Sequence, residues 1–335
     1  MLKLLVLLTK SLPPSSRVRM TACFDEFHRH GVESTGIPIP SGLIDRVGLL
    51  QRAKKYDVVI IQKKTSFRHI ELKFLQSNCE SLIFDMDDAV MFHELEHHKP
   101  LKGKHFLKFL RTINSCQAVV AGNKSLATFA EANCESVFVL PTPIDISRYM
   151  IKDYSDISNS IVIGWIGVAG SLHYLKKISI ILQQIAKEFK NIQLKIVSNE
   201  FIDIPGVSII KEQWNLETET EHLRSFDIGI MPLTDSLWAR GKCGYKILQY
   251  FGAGVHVIAS PVGINTEFIK HGDNGLLAGS DQERIESLRL LIKSHQTRKK
   301  IGMLGRKELE KYTLSRYAEK YCEILHSVNN KKAEF

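Results

Sequence analysis

The sequence predicts an α/β protein built from two tandem Rossmann-like domains, each a doubly wound parallel sheet, with a cleft between them. Three observations predict it. Short, continuous apolar runs alternate with amphipathic stretches through the first 145 residues. The alternation stops at Pro141-Thr142-Pro143 and a polar stretch reaching Asn159, then restarts. The chain has 335 residues, enough for two cores of about 150 residues each.

The first strand is expected at Lys3–Leu8, because the five apolar residues from Leu4 to Leu8 are too few for a signal-peptide core or a spanning helix. Further strands are expected at Asp57–Ile61, Ser81–Asp85, Ala118–Ala121 and Val137–Leu140. The intervening stretches Arg17–His30, Leu43–Lys54, Phe67–Ser77, Phe106–Asn114 and Lys124–Asn133 have helical spacing. Strands apolar throughout, alternating with helices, call for a parallel sheet covered on both faces. In the second half strands are expected at Ile161–Ile166, Ile192–Val197, Asp227–Met231, Val255–Ala259 and Gly275–Ala278. Helices are expected at Leu172–Phe189 and Thr218–Ser225, from Ala278 to about Glu310, and at Ser315–Val328. The domains are therefore drawn at 1–145 and 146–312, with a closing helix in 313–335.

Apolar content of 44% and charged content of 24% are those of an ordinary globular protein. A net charge of +9 asks for an anionic partner, whether a nucleotide, a nucleic acid or an acidic membrane surface. No nucleic-acid-binding module is recognisable, which points away from that partner. The six cysteines contain no Cys-x-x-Cys pair, the pattern of reduced thiols in cytoplasm.

Chemistry concentrates between Arg240 and Gly263, a basic glycine-marked loop, a short helix and a strand ending in Ser260-Pro261-Val262-Gly263. Arg240, Lys242 and Lys246 crowd the start of that helix, where unpaired N–H groups and the dipole already favour an anion. A phosphate or diphosphate would balance them. The loops Gly167–Ser171, Pro232–Trp238 and Arg240–Tyr245 are expected to face the same cleft, since such sheets bind ligands beyond the carboxyl ends of their strands.

Read this way, residues 160–278 resemble the glycosyltransferase family 4 branch of the GT-B fold. The resemblance rests on Gly164-Trp165-Ile166-Gly167, Phe226 to Leu233, Gly241 to Gly254, Val257 to Gly263 and Gly272-Asp273-Asn274-Gly275-Leu276-Leu277. It extends weakly to Ser15–Arg19, Asp85–Asp88 and Pro141–Asp145. It implies a retaining, metal-independent transfer of a sugar from a nucleotide-diphosphate donor, with no cofactor, to a glycan or lipid-linked acceptor. Such a protein would work in cell-surface polysaccharide or lipopolysaccharide synthesis, cytoplasmic and peripheral on the inner face of the membrane. The donor would meet Gly167, Arg240, Lys242, Lys246, Gln249 and Glu267, with Lys242 and Lys246 acting on the leaving diphosphate. The acceptor would meet Asp87 and Asp88, and the loop after the first strand either holds an anionic acceptor through Ser16, Arg17 and Arg19 or is a serine-capped helix start with exposed arginines. The closing helix would cross back to the first domain. Two glutamates usual in the family fall at Gly241 and Gln249, and the arginine usual after the first glycine falls at Val168. A divergent branch with a Gly-Lys-Cys-Gly-aromatic-Lys signature fits these changes.

Other signals compete. Leu82 to Asp88 has the form of a phosphohydrolase first motif, with Asp85 as nucleophile and Asp87 as general acid. Alternatively Asp88 caps a helix and Asp85 bonds to loop N–H groups. His93-Glu94-Leu95-Glu96-His97 matches a zinc-protease pattern, but Pro100 follows closely and no third ligand is evident, so no metal site is expected. Lys104–Arg111 interleaves bases with Phe106, Leu107, Phe109 and Leu110, as either a membrane-surface helix or a core-facing one with a wet side would. Loss of the glutamates also leaves room for a non-catalytic nucleotide- or sugar-binding protein.

Overall fold

The computed structural model describes residues 1–9, 14–92, 103–155 and 160–330. The chain forms two units. The first comprises Met1–Asp145, Ser236–Cys243 and Tyr312–Phe335; the second comprises Ile146–Asp235 and Gly244–Lys311.

The first unit is built on strands β1 (Leu2–Leu8), β2 (Val32–Pro38), β3 (Val58–Gln62), β4 (Ser81–Met86), β5 (Ala118–Ala121) and β6 (Ser136–Val139). They pair in parallel in the order β2-β1-β3-β4-β5-β6. Alternation along β1 divides its side chains between two cores: Leu5 and Leu7 face one, Leu4, Val6 and Leu8 the other. Helices Leu43–Ala53, His69–Asn78, Lys104–Ile113 and Lys124–Glu131 cover the first core with Leu50, Leu72, Phe109 and Leu126. The second core is closed by helix Leu314–Asn330, which buries Tyr317, Tyr321, Leu325 and Val328 beside Met20 and Phe27. Lys104–Ile113 thus spends its apolar side on the core, as Phe106, Phe109, Leu110 and Ile113 all pack there.

The second unit contains β7 (Ile161–Ile166), β8 (Ile192–Ser198), β9 (Ile209–Gln213), β10 (Ile228–Met231), β11 (Val257–Ala259) and β12 (Leu276–Leu277). The order β12-β11-β10-β7-β8-β9, all parallel, is a doubly wound sheet whose direction of winding reverses between β7 and β10. The expected helix Leu172–Phe189 is two helices, Leu172–Lys177 and Ser179–Glu188, with Ile178 between them leaving helical geometry at ψ 15°.

Two strands, β2 and β9, have no counterpart among the sequence expectations. Both are edge strands, paired on one side only, and β2 buries only Val32 while β9 buries none of its residues. An edge strand lacks the two-sided burial that makes a continuous apolar run.

His256, leading into β11, is fully buried, and neither ring nitrogen has a hydrogen-bond partner. Burial, followed by the charges of Arg298 and Lys152, pulls its pKa down to about 3. Between that value and the unfolded value, the unfolded chain binds a proton that the folded ring refuses. The neutral ring therefore contributes full stability above about pH 6.5, and this is lost as pH falls toward 3, by about 1.4 kcal/mol per unit. Melting temperature should drop between about pH 6 and pH 4, with a shallower slope in His256→Leu. Equal slopes in the two proteins would rule out this origin.

Candidate active site

In the second unit, the winding reversal places the carboxyl ends of β7 and β10 where doubly wound sheets bind ligands. Beyond β7 come Gly167 and Val168, and then a tight turn over Ala169–Ser171. The Lys246 ammonium lies 4.3 Å from the centroid of the buried Trp165 indole, a cation–π arrangement that holds it at the end of β7. It comes so close to Gly167 that a Cβ there would be 2.4 Å from the Lys246 Nζ. A Cβ at 167 would also lie 2.7 Å from the Trp165 indole, so glycine leaves room there for the ring and the ammonium above it.

Lys246 is the second residue of helix Tyr245–Gly252, which starts from Gly244 with φ +64°. Only glycine takes this left-handed turn cheaply, and a side chain would also meet Ile264 and Phe268. The positive end of the helix dipole and the Lys246 charge therefore share one place. Beyond β11, Ser260 accepts a hydrogen bond from the Leu233 backbone N–H (2.9 Å) through its hydroxyl, and one from Asn265 Nδ2 (2.9 Å) through its carbonyl. These bonds fix the loops after β10 and β11 to each other. Glu267 is exposed in the first turn of helix Asn265–Phe268. Gln249, expected at a ribose, is buried on the inner side of its helix and lies against the Tyr149 hydroxyl.

The segment Ser236–Cys243, expected with the second domain, packs in the first unit. Ser236 caps its short helix by accepting from the Ala239 N–H at 3.1 Å. Asn123 Nδ2 donates to the carbonyls of Arg240 (3.2 Å) and Lys242 (3.0 Å), while Asn123 Oδ1 caps helix Lys124–Glu131. Gly241 presses on Ala89, and a Cβ at 241 would sit 2.6 Å from the Ala89 Cβ. A glutamate, as the family resemblance would place at 241, has no room there. Of the three cations expected together, Arg240 and Lys242 belong to the first unit and Lys246 to the second. Arg240 is exposed, and Lys242 Nζ lies 5.5 Å from the Trp238 ring centroid.

The acceptor residues expected in the first unit also separate. Arg19 is fully buried; its Nε and Nη2 donate to the two Asp85 oxygens at 3.0 and 2.7 Å, and Nη1 donates to the Leu140 carbonyl at 3.0 Å. Tyr321 adds its hydroxyl to Asp85 at 3.3 Å. Burial opposes the Arg19 charge, but Asp85 outweighs it and raises the guanidinium pKa above its ordinary value. Arg19 is therefore a core residue, and an acceptor contact at it is corrected by its burial. Ser16 is buried too, its hydroxyl 3.3 Å from that of Thr9, while Arg17 is half-buried. Asp85 is equally unavailable as a phosphohydrolase nucleophile, since both its oxygens are bonded inside the core.

Asp87 and Asp88, at the carboxyl end of β4, are partly exposed and share one partner that is not among the residues singled out from the sequence. Lys63 Nζ lies 3.3 Å from Asp87 Oδ1 and 3.0 Å from Asp88 Oδ2. Burial works against the ammonium, yet the two carboxylates outweigh it and raise its pKa above the usual lysine value. Lys63 is the only non-glycine with positive φ (57°) among the described residues, a conformation that costs energy and concentrates at functional positions. Its place directly after β3 was the one available signal.

Among the described residues no group of three His, Cys, Asp or Glu could hold a metal ion, and His93–His97 lies outside those residues. No helix among them is long and apolar enough to cross a membrane.

Residues 163–294 match the family described as glycosyl transferases group 1. Among curated proteins, none matches. Of solved structures, the chain is similar to sucrose-phosphate synthase from Thermosynechococcus elongatus, with a TM-score of 0.77, 8% identity, and 98% of this chain and 99% of that one covered. It is similar to HepE from Anabaena, solved in complex with UDP-glucose, with a TM-score of 0.72, 15% identity, and 98% and 100% covered. A glycosyltransferase from Rickettsia africae follows at a TM-score of 0.64, 13% identity, and 98% of each chain. The fold is that of the GT-B proteins. By sequence, the second unit is of the group 1 glycosyl transferase type.

Proposed function

We propose that this protein is a glycosyltransferase that takes a sugar from a nucleoside-diphosphate donor held by the second unit and transfers it to a glycan or glycolipid acceptor taken by the first. The observation that carries the reading is the Lys246 ammonium, held over Trp165 and Gly167 at the reversal of the second sheet and at the amino end of a helix. The HepE structure with UDP-glucose and the group 1 match over 163–294 support it.

The departing diphosphate gains negative charge as the bond from its oxygen to the anomeric carbon breaks. A fixed cation and a helix terminus aimed at that charge stabilise the transition state more than the ground state. With retention, the acceptor oxygen bonds to the anomeric carbon on the face the phosphate leaves. The leaving phosphate oxygen then takes the acceptor proton, and no protein base is needed. Asp87 and Asp88, held by Lys63, orient the acceptor hydroxyl in this reading. Lys242 and Arg240 supply further positive charge for the donor, and Glu267 reaches its sugar. The product is a cell-surface polysaccharide or lipopolysaccharide precursor, made on the cytoplasmic face of a membrane.

Melting the protein with UDP-, GDP-, ADP- and dTDP-sugars tests the donor, since a bound ligand raises the melting temperature by mass action. One nucleotide should raise it and be released as diphosphate when acceptor is added, with EDTA present and with the α-linkage of an α-donor kept. No shift with any donor would overturn the reading. A shift with no donor consumed across a range of acceptors would leave a binding protein instead.

A further inference from the structure

The carboxyl edge of the first sheet leaves polar atoms without partners. Gln62, the last residue of β3, is fully buried; its Nε2 donates to the Ser15 carbonyl at 3.2 Å, but its Oε1 has no hydrogen-bond partner. Asp88 Oδ1 and the Ser15 hydroxyl, both shielded from solvent, also lack one. Buried polar atoms in folded proteins are nearly always bonded. Gln62 Oε1 and Asp88 Oδ1 can only accept, so a ligand that completes them must bring donors.

Lys63, next in the chain, sits in a conformation that its own Cβ disfavours. At φ 57° glycine makes the turn at less cost than any residue with a side chain. The Lys63 N–H donates to the Asp85 carbonyl at 2.8 Å, which fastens the turn to β4. From there the ammonium reaches both Asp87 Oδ1 and Asp88 Oδ2. A side chain retained in a strained turn is retained for what it carries, here the ammonium. It fixes one oxygen of Asp88 and leaves the other without a partner. The side chains of Lys63, Asp87 and Asp88 stay 23%, 12% and 28% exposed, so a ligand can meet them. Two carboxylates against one ammonium leave negative charge in excess.

These atoms choose their ligand. The hydroxyls of a sugar ring donate to carboxylate and amide oxygens. A phosphate or carboxylate group brings only acceptors and is repelled by the excess charge. Arg19, read from the sequence as a contact for an anionic acceptor, is bonded to Asp85 in the core and offers it none. We infer that Lys63 is a positioning residue, which sets Asp87 and Asp88 so that they and Gln62 select an uncharged sugar over an anionic one as the acceptor. This deepens the assignment of the first unit to the acceptor and rests on that reading.

The test is saturation-transfer NMR on the full chain with methyl glucoside, mannoside and galactoside, and with the methyl uronosides of the same three sugars. At least one hexoside should bind, with its uronoside weaker by about tenfold or more. Lys63→Met should lower hexoside binding about tenfold. Lys63→Arg should restore most of it, and in both variants the melting shift given by donor nucleotides should stay as in the wild type. In turnover, Lys63→Met should raise the acceptor KM more than it lowers kcat. Melting temperature separates the fold from the contact: Lys63→Gly should melt above Lys63→Met, since both lose the ammonium and only glycine relaxes the turn. No hexoside binding, uronosides bound as well as hexosides, or wild-type binding by Lys63→Met overturns the inference; a donor shift that persists then leaves the glycosyltransferase reading standing. Absence of any donor shift overturns that reading, and the acceptor role with it.

Discussion

Replacing Lys246 with methionine is expected to lower turnover about a hundredfold while leaving the melting temperature of the free protein unchanged. Methionine keeps the length of the side chain and its contact with the Trp165 indole but removes the charge. The charge is the part that matters to a leaving diphosphate, and loss of one such group costs about 3 kcal/mol in the transition state. Affinity for the bare nucleoside diphosphate should fall as well, because the product carries the full charge. Lys246→Arg is expected to recover part of both losses. Lys242→Ala, on the first unit, should cost at least about tenfold. The measurement is steady-state donor consumption, with thermal shift reporting nucleotide binding. Full turnover in Lys246→Met would remove this lysine from the site, and with it the main support for the donor reading.

Asp85→Ala is expected to have the largest effect on stability, and for a reason unrelated to chemistry. It strands the Arg19 guanidinium in the core, where that group is fully buried and spends two nitrogens on the carboxylate. Removing one member of a buried pair costs about 3–5 kcal/mol, since the charge left behind has neither partner nor water. For a unit of this size the melting temperature should fall on the order of 10 °C. The double variant Arg19→Met with Asp85→Leu should recover most of that loss, because apolar groups of similar volume replace a buried pair with little penalty. Calorimetry of the three proteins reads the result. A single variant that melts with the wild type would mean that water reaches the pair. Recovery of stability by the double variant with turnover intact would show that these residues shape the first unit without touching the acceptor.

The parts of the fold legible in the chain were those buried on both sides. Ile161–Ile166 and Ala118–Ala121 fall where their apolar runs put them, because central strands of a parallel sheet must be apolar throughout. The edges β2 and β9 were not legible, being half solvated and mixed in composition. Gly167 and Lys246, singled out by spacing after a strand and at a helix start, do lie together at the end of β7. Lys63 could not be singled out, since only the pairing of β3 with β4 brings it to Asp87 and Asp88.

Sequence alone therefore determined the alternation of strand and helix and the kinds of residue gathered between 240 and 263. Each is a local property, set by hydrophobic period and turn chemistry within a few residues. Tertiary structure alone decided the rest. It assigned Ser236–Cys243 to the first unit through Asn123 and Ala89, buried Arg19 against Asp85, 66 positions further along the chain, and set Arg46 against the buried Glu71. Contacts between residues so distant in the chain leave no periodic trace, because the partner that satisfies a charge is chosen by packing and not by spacing.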